Sequence, residues 1–337
     1  MAQFEGSKVF AKELMERYDI PTAPFIIFDS TDEIRKNMNF HEFEDNYFPI
    51  VLKVDGLAAG KGVRVCKNRQ EVEDFLGVID SGKFEEAASR IVMENCIFGE
   101  EASCIYITDK NGSVLPMATA QDHKAVFDKD EGPNTGGMGA YSPAPIISTE
   151  VEKKITERII NPLIEALRAE SMLSAGVIYV GLMIDKKGDP YVLEFNARFG
   201  DPEIQPIVMR LETDLMEIIE SAINGTLDQQ KIKWDPRPAV CVVMASKGYP
   251  DKYAKGFPIA ITYGTENINT VVFHAGTKFD DSGELITDGG RVLGVTALGI
   301  DTLNAKNNAY RAVGRIRCTN LFNRTDIANR AIDPSLL

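Results

Sequence analysis

The chain has 337 residues, 44% of them hydrophobic and 26% charged, with a formal net charge of −13, a composition that fits a soluble globular protein of one large domain or two. An acidic chain repels phosphate backbones at long range, which argues against a nucleic-acid partner. No apolar run approaches the roughly 18 residues that a spanning helix needs, and the opening residues Met1–Lys8 hold no signal-peptide core, so no membrane partner is expected.

The net charge leaves room for a small phosphorylated ligand. Screening limits the reach of distant charge to about 8 Å at physiological salt, so local lysines and backbone amides can still hold a phosphate. The five cysteines (Cys66, Cys96, Cys104, Cys241 and Cys318) are scattered and form no C-x-x-C pair. They predict reduced thiols in a cytoplasmic protein.

In chain order, residues 6–18 read as a helix stopped by Asp19-Ile-Pro21, and Phe25-Ile-Ile-Phe28 as a strand. Ser30-Thr-Asp-Glu33 opens another helix with a capping-box pattern. Pro49-Ile-Val-Leu-Lys-Val54 is a strand that ends in a glycine-rich turn, with Val63-Arg-Val-Cys66 as its hairpin partner. Ile91-Val-Met93 and Ala102–Ile107 read as further strands. Thr149-Glu-Val-Glu152 caps a long helix whose Ile155, Ile159, Leu163 and Leu167 fall four apart on one face. A hairpin follows, from Gly176–Ile184 through the turn Asp185–Asp189 to Tyr191–Phe195, and then a single helix near 204–224. Trp234-Asp-Pro-Arg-Pro238 reads as a domain boundary. Residues 239–315 then alternate short β-rich runs with turns and close on a helix near 301–314. The order predicts an α+β fold: a mixed body over 1–235 and a small, mostly β domain over 236–337.

Three motifs carry chemistry. Lys53-Val-Asp-Gly-Leu-Ala-Ala-Gly-Lys-Gly62 feeds a strand into a loop with Gly56, Gly60 and Gly62. Such a loop can bring several backbone N–H groups onto one phosphate, with Lys53 and Lys61 as point charges. It lacks P-loop spacing, and an ordinary glycine-rich hairpin is the alternative. In Leu193-Glu-Phe-Asn196 the strand period puts Glu194 and Asn196 on one face, a pair of oxygen donors that suits Mg²⁺. Arg198 and Asp201 follow. They fit either a surface ion pair with each other or recognition of a carboxylate by the arginine fork. Finally, Gln121-Asp-His-Lys124 precedes the glycine-rich Gly132-Pro-Asn-Thr-Gly-Gly-Met-Gly139 and suggests an anion or sugar site. His123, one of three histidines, is open to both a structural and a general-base part. No Ser-His-Asp pattern stands out and no His/Cys group has zinc spacing.

Together, the 53–62 loop, Gln121–Lys124, Asn134-Thr-Gly-Gly-Met-Gly-Ala-Tyr-Ser-Pro143 and Arg198-Phe-Gly-Asp-Pro-Glu203 resemble the phosphoribosylamine–glycine ligase (glycinamide ribonucleotide synthetase) family of the ATP-grasp superfamily. The resemblance runs from about Gln3 to Ile332. It implies an ATP-grasp fold of two α+β lobes, the smaller, nucleotide-covering one over about 22–97. It also implies ligation of glycine to 5-phosphoribosylamine with ATP and Mg²⁺ or Mn²⁺, in purine biosynthesis. By the same resemblance Lys8 and Lys53 reach the ATP phosphates under a closing glycine loop, Glu94-Asn95-Cys96-Ile97 passes the adenine, and Glu101 binds the ribose. Arg198 and Asp201 become candidates for glycine. Asp122, His123, Lys124 and the loop Asn134, Thr135, Gly136, Gly137, Met138, Gly139 would face phosphoribosylamine.

Two departures from the family pattern stand out. The acidic metal ligand that many ATP-grasp enzymes carry on the strand before Glu-x-Asn corresponds to Met183, so coordination is expected to rest on Glu194, Asn196 and phosphates. The family also has an N-terminal α/β domain ahead of the motif Phe4-Glu-Gly-Ser-Lys8, near which this chain begins. The expectation that follows is ATP binding by the chain, with a separate N-terminal domain or a purine-pathway enzyme as partner for synthesis. A nucleotide-binding fragment inactive on its own, or another ATP-grasp ligase or a biotin-type carboxylase, are the alternative readings.

Overall fold

A computed structural model describes residues 2–39, 47–56, 62–84 and 90–333. Its contacts divide the chain into two units. One holds the residues up to Glu101 with Thr108–Gly112 and Ile146–Arg198; the other holds Ala102–Ile107, Ser113–Pro145 and the residues from Phe199 onward.

The first unit is organised around an antiparallel sheet in the order Phe25–Phe28, Ile91–Asn95, Ile50–Val54, Val63–Cys66. Alternation along Ile50-Val-Leu-Lys-Val54 sends Ile50, Leu52 and Val54 into a core with Ile91 and Met93. Helices Thr31–Asn39 and Arg69–Asp80 cover that face. Val72, Phe75, Leu76 and Ile79, at i, i+3, i+4 and i+7, supply the apolar stripe of the second. The first has the expected cap in altered form: Ser30 Oγ accepts from the Glu33 N–H at 3.2 Å, but the Glu33 carboxylate accepts from the N–H of Asp29 rather than of Ser30. The opposite face of the sheet is left for Lys53 and Glu94.

The helix expected over 6–18 is Lys8–Arg17, preceded by a separate turn, Ala2–Gly6. Ser7 makes the break. Its extended backbone (φ −138°) lets its Oγ accept from the Phe10 N–H and start the second helix as an N-cap. The long helix after Thr149 is also interrupted. Thr149–Ile155 and Asn161–Ala169 are α-helical, and Thr156–Ile160 widens to a π turn. Pro162 offers no N–H to the preceding turn and its ring crowds the carbonyl there, which accounts for the wider turn. Ile155, Ile159, Leu163 and Leu167 nevertheless share one buried face. The hairpin Gly176–Ile184 to Pro190–Asn196 forms as expected, with a bulge: Gly181 faces Glu194, and the next residue, Leu182, faces Val192.

The second unit holds a sheet in the order Thr270–His274, Arg291–Leu298, Ala239–Ser246, Gly139–Ser142, Gln121–Asp122, with Leu321–Phe322 also pairing to Ala239–Ser246. Every residue of the central strand Ala239–Ser246 is buried, and the run Ala-Val-Cys-Val-Val-Met-Ala reflects that. Helix Thr302–Val313, capped by Asp301, packs Ala305 and Ala309 against Val240, Val242 and Ala297. The single helix expected near 204–224 is two, Ile204–Arg210 and Leu215–Asn224. Leu211 turns extended and bridges Trp234, and Asp214 restarts the helix by accepting from the Met216 N–H.

Candidate functional site

The first unit gathers three lysines at the open face of its sheet. Strand alternation puts Lys53 and Glu94 on that face, one on Ile50–Val54 and one on Ile91–Asn95. Glu94 is buried and each of its oxygens meets a different ammonium, Lys53 Nζ at 2.9 Å and Lys12 Nζ at 3.1 Å. Lys53 Nζ also donates to the Leu193 carbonyl at 3.0 Å. Lys12 donates to Thr22 Oγ1 at 2.7 Å and to the Ala23 carbonyl at 3.4 Å. Breaking a buried pair of this kind costs about 3–5 kcal/mol, since a charge is left unmatched. Burial pulls the Lys12 ammonium down to about 8 against the attraction of Glu94. Lys12 did not figure in the sequence reading, although Lys8 and Lys12 are four apart on one helix, which put them on one face.

Lys8, in the first turn of its helix, donates to the Gly56 carbonyl at 2.9 Å. Burial lowers its pKa; the nearby Glu194 carboxylate is the leading influence in the other direction. Asp55 ties the start of the glycine loop to the start of this helix. Its carboxylate accepts from Ser7 Oγ and the Val9 N–H, both at 2.8 Å, and pairs with Arg90 at 3.1 Å. An anion here also complements the helix N-terminus. Gly62 returns the chain to the hairpin, its carbonyl accepting from the Val54 N–H. Gly60 and Lys61 lie outside the described residues. Glu94 directs its carboxylate inward to the lysines, followed by exposed Asn95 and half-buried Cys96 and Ile97. Glu101, half-buried, lies on strand Glu100–Thr108.

Glu194 and Asn196 share one side of Pro190–Asn196, with Phe195 buried on the other. Opposite Glu194 stands Gly181, where a Cβ would sit 3.1 Å from Glu194 Cγ. The missing side chain leaves the carboxylate space. Met183 faces Tyr191 instead. A carboxylate and an amide oxygen fit a hard divalent cation that completes its shell with phosphate and water; among the described residues no group of three or more His, Cys, Asp or Glu could hold a metal alone.

Arg198 pairs with Glu5, Nε to Oε1 at 3.0 Å, and its Nη2 reaches Asn196 Oδ1 at 3.4 Å. The other Glu5 oxygen accepts from the Ala197 N–H at 2.9 Å. The Arg198 side chain is 55% exposed. An exposed pair contributes about 0–1 kcal/mol, so a ligand carboxylate can compete for this guanidinium. Glu5 was not foreseen: nothing local in the sequence links it to a residue so far along the chain.

In the second unit, Asp122 is buried on Gln121–Asp122 with Ala140 as its cross-strand partner, and Lys124 is half-buried. His123 is buried, and its Nε2 accepts from the Ala328 N–H at 3.0 Å. Nδ1 then carries the proton of the neutral ring and faces Asp130 Oδ1 at 3.9 Å. Burial lowers the pKa of His123. Asp130 lies far below the usual carboxylate range, held there by the facing His123 ring and then by Arg330 and Arg324. With its free lone pair engaged by a backbone amide, His123 has the environment of a structural residue, not of a general base.

The loop Asn134–Gly139 uses its amides internally. The Thr135 N–H donates to the Lys124 carbonyl, that of Gly136 to the Tyr249 hydroxyl, that of Gly137 to Thr135 Oγ1 and that of Met138 to the His123 carbonyl. The glycines serve close packing. Gly137 (φ +113°) would put a Cβ 2.3 Å from Pro202 Cδ, and Gly136 would put one 2.8 Å from Arg291 Cζ. Asn134 is an exposed polar residue of this loop that could meet a ligand. Asp201 pairs with Arg291, Oδ2 to Nη2 at 2.9 Å, and accepts from Gln205 at 3.2 Å. Arg291, the first residue of strand Arg291–Leu298, was also missed by the sequence reading.

The family model of the phosphoribosylglycinamide synthetase ATP-grasp (A) domain matches residues 6–204, and that of the C domain matches 239–330. Phosphoribosylamine–glycine ligase of Vibrio cholerae is 48% identical over 332 residues, 98% of this chain and 76% of the relative; that of Pseudomonas aeruginosa is 47% identical over the same shares. The crystal structure of the Thermotoga maritima enzyme superposes with a TM-score of 0.83 at 32% identity, covering 96% of this chain and 79% of that one. The biotin carboxylase domain of Hydrogenobacter thermophilus 2-oxoglutarate carboxylase, at 17% identity and a TM-score of 0.70 over 95% of this chain and 68% of its own, shares the fold. The fold is thus ATP-grasp, and the chain belongs to the phosphoribosylamine–glycine ligase family.

Proposed function

We propose that the chain joins glycine to 5-phosphoribosylamine at the expense of ATP, through glycyl phosphate, and releases glycinamide ribonucleotide, ADP and phosphate. The observation that carries this reading is the likeness, over 98% of the chain, to enzymes of that name. A carboxylate is a poor acylating agent. Its oxygen attacks the γ-phosphorus and ADP leaves; the amine of phosphoribosylamine then attacks the acyl carbon and phosphate leaves.

The chain's own residues supply positioning and charge. Lys8 and Lys53 would neutralise phosphate oxygens. Glu194 and Asn196 would hold a divalent cation, Mg²⁺ or Mn²⁺, which contributes further positive charge at the phosphates. Arg198 is our candidate for the glycine carboxylate and Asp201 for its ammonium group. Asp122, Lys124 and Asn134 are candidates for phosphoribosylamine, on a loop that His123 and Arg291 hold in place. A cytoplasmic setting belongs to the same reading, supported by the free thiols of all five cysteines.

The test is ADP release by the purified chain with substrates omitted one at a time. Release that requires both glycine and phosphoribosylamine is expected. Release that requires bicarbonate and biotin would favour an ATP-grasp carboxylase instead.

A further inference from the structure

Lys12 stands apart from the lysines of a phosphate site because its side chain, 3% exposed, lies out of a ligand's reach: its ammonium donates to Thr22 Oγ1 and the Ala23 carbonyl and forms an ion pair with Glu94 Oε1 at 3.1 Å. A charge so placed is costly unless it orders something, and what it orders can be traced. Glu94 divides its oxygens, Oε1 to Lys12 and Oε2 to Lys53. Lys53 continues to the Leu193 carbonyl. On the other side Lys12 donates to Thr22 Oγ1, which in turn donates to the Val192 carbonyl at 2.7 Å. Two consecutive carbonyls, 192 and 193, are thus held by the two arms of one charged cluster. They sit at the bulge that immediately precedes Glu194, and bulges re-aim the side chains beside them.

We propose that Lys12 is a positioning residue: through Glu94 it fixes the Lys53 ammonium, and through Thr22 it steadies the bulged strand that presents Glu194. This rests on the reading of Lys53 as a phosphate ligand and Glu194 as a metal ligand given above. Without Lys12, both Glu94 oxygens are left to one ammonium, and the carboxylate swings toward Lys53 and draws it from the Leu193 carbonyl. With a pKa of about 8 the Lys12 ammonium keeps its proton at neutral pH, as this part requires.

The experiment is isothermal titration of the full chain with ADP and Mg²⁺, together with steady-state kinetics, for wild type, Lys12→Gln, Lys53→Met and the double variant. Lys12→Gln should weaken ADP binding about tenfold or more, as the loss of one charge-assisted contact would, and should raise the KM for ATP more than it lowers kcat. Lys12→Arg should recover part of the affinity. In the Lys53→Met background, Lys12→Gln should change binding by clearly less than it does in wild type, because one of the two groups it acts through is gone. A melting curve verifies that each variant is folded; if glutamine is not accommodated, Lys12→Met, which leaves no unmet donor, replaces it. Wild-type affinity in the Lys12 variant, or an equal loss in both backgrounds, overturns the inference while leaving the nucleotide reading intact. Absence of ADP binding by the wild-type chain overturns both.

Discussion

Arg291 grips Asp201 at two points, the carboxylate at 2.9 Å through Nη2 and the main-chain carbonyl at 2.8 Å through Nη1, while Nη1 also donates to the Gly136 carbonyl at 2.7 Å. One guanidinium from strand Arg291–Leu298 therefore joins Asp201 to the glycine loop at Gly136. Lysine at this position keeps the charge but loses the fork. We expect Arg291→Lys to raise the KM for glycine by about tenfold and to leave the KM for ATP within about threefold, since Asp201 is the candidate for the glycine ammonium group. An unchanged KM for glycine would limit Arg291 to packing of the loop.

Glu194→Gln keeps the shape of the side chain and removes its charge. Turnover should fall by roughly 10²-fold or more, the scale of losing one preorganised electrostatic group. The melting temperature should hardly move, because Glu194 is only half-buried. Titration with ADP should show that Mg²⁺ no longer strengthens nucleotide binding. Binding that remains as metal-dependent as in wild type would remove Glu194 from the metal site.

His123 should matter for stability. Truncation in His123→Ala leaves the buried Ala328 N–H without its acceptor, at a cost of about 1–3 kcal/mol. The pH dependence has a defined sign. Burial lowers the folded-state pKa below the ordinary 6.5, so the unfolded chain binds the proton more readily. The contribution is whole above pH 6.5 and is lost as pH falls from 6.5 toward the lowered folded value. The urea midpoint of the wild-type chain should therefore fall more steeply below pH 6.5 than that of His123→Asn. Parallel slopes would mean that His123 titrates alike in both states.

What the sequence made legible is what depends on neighbours along the chain. The hairpin of Gly176–Ile184 with Pro190–Asn196, the stripe through Ile155 and Leu167, and the shared face of Glu194 and Asn196 all follow from a period of two or four. The helix break at Asp214 was signalled by a capping residue inside an otherwise apolar pattern, and the apolar pattern hid it. Partnerships made in space were not legible. Arg198 and Asp201, three positions apart in the motif, find their ion-pair partners in Glu5 and Arg291, and neither choice leaves a mark in local composition. Glu94 fits a strand that passes a nucleotide, yet only the folded sheet reveals that its carboxylate lies between Lys12 and Lys53.

The central claim, ligation through glycyl phosphate, is tested most directly by isotope transfer. The chain is supplied with ATP, the divalent cation, phosphoribosylamine and glycine labelled with ¹⁸O in its carboxylate, and the released inorganic phosphate is analysed by mass. The oxygen that attacks the γ-phosphorus stays on phosphorus when the amine displaces phosphate from the acyl carbon, so each turnover should transfer a single ¹⁸O into inorganic phosphate and leave its partner in glycinamide ribonucleotide. Product formed while inorganic phosphate stays free of label, or no product at all, would contradict the account.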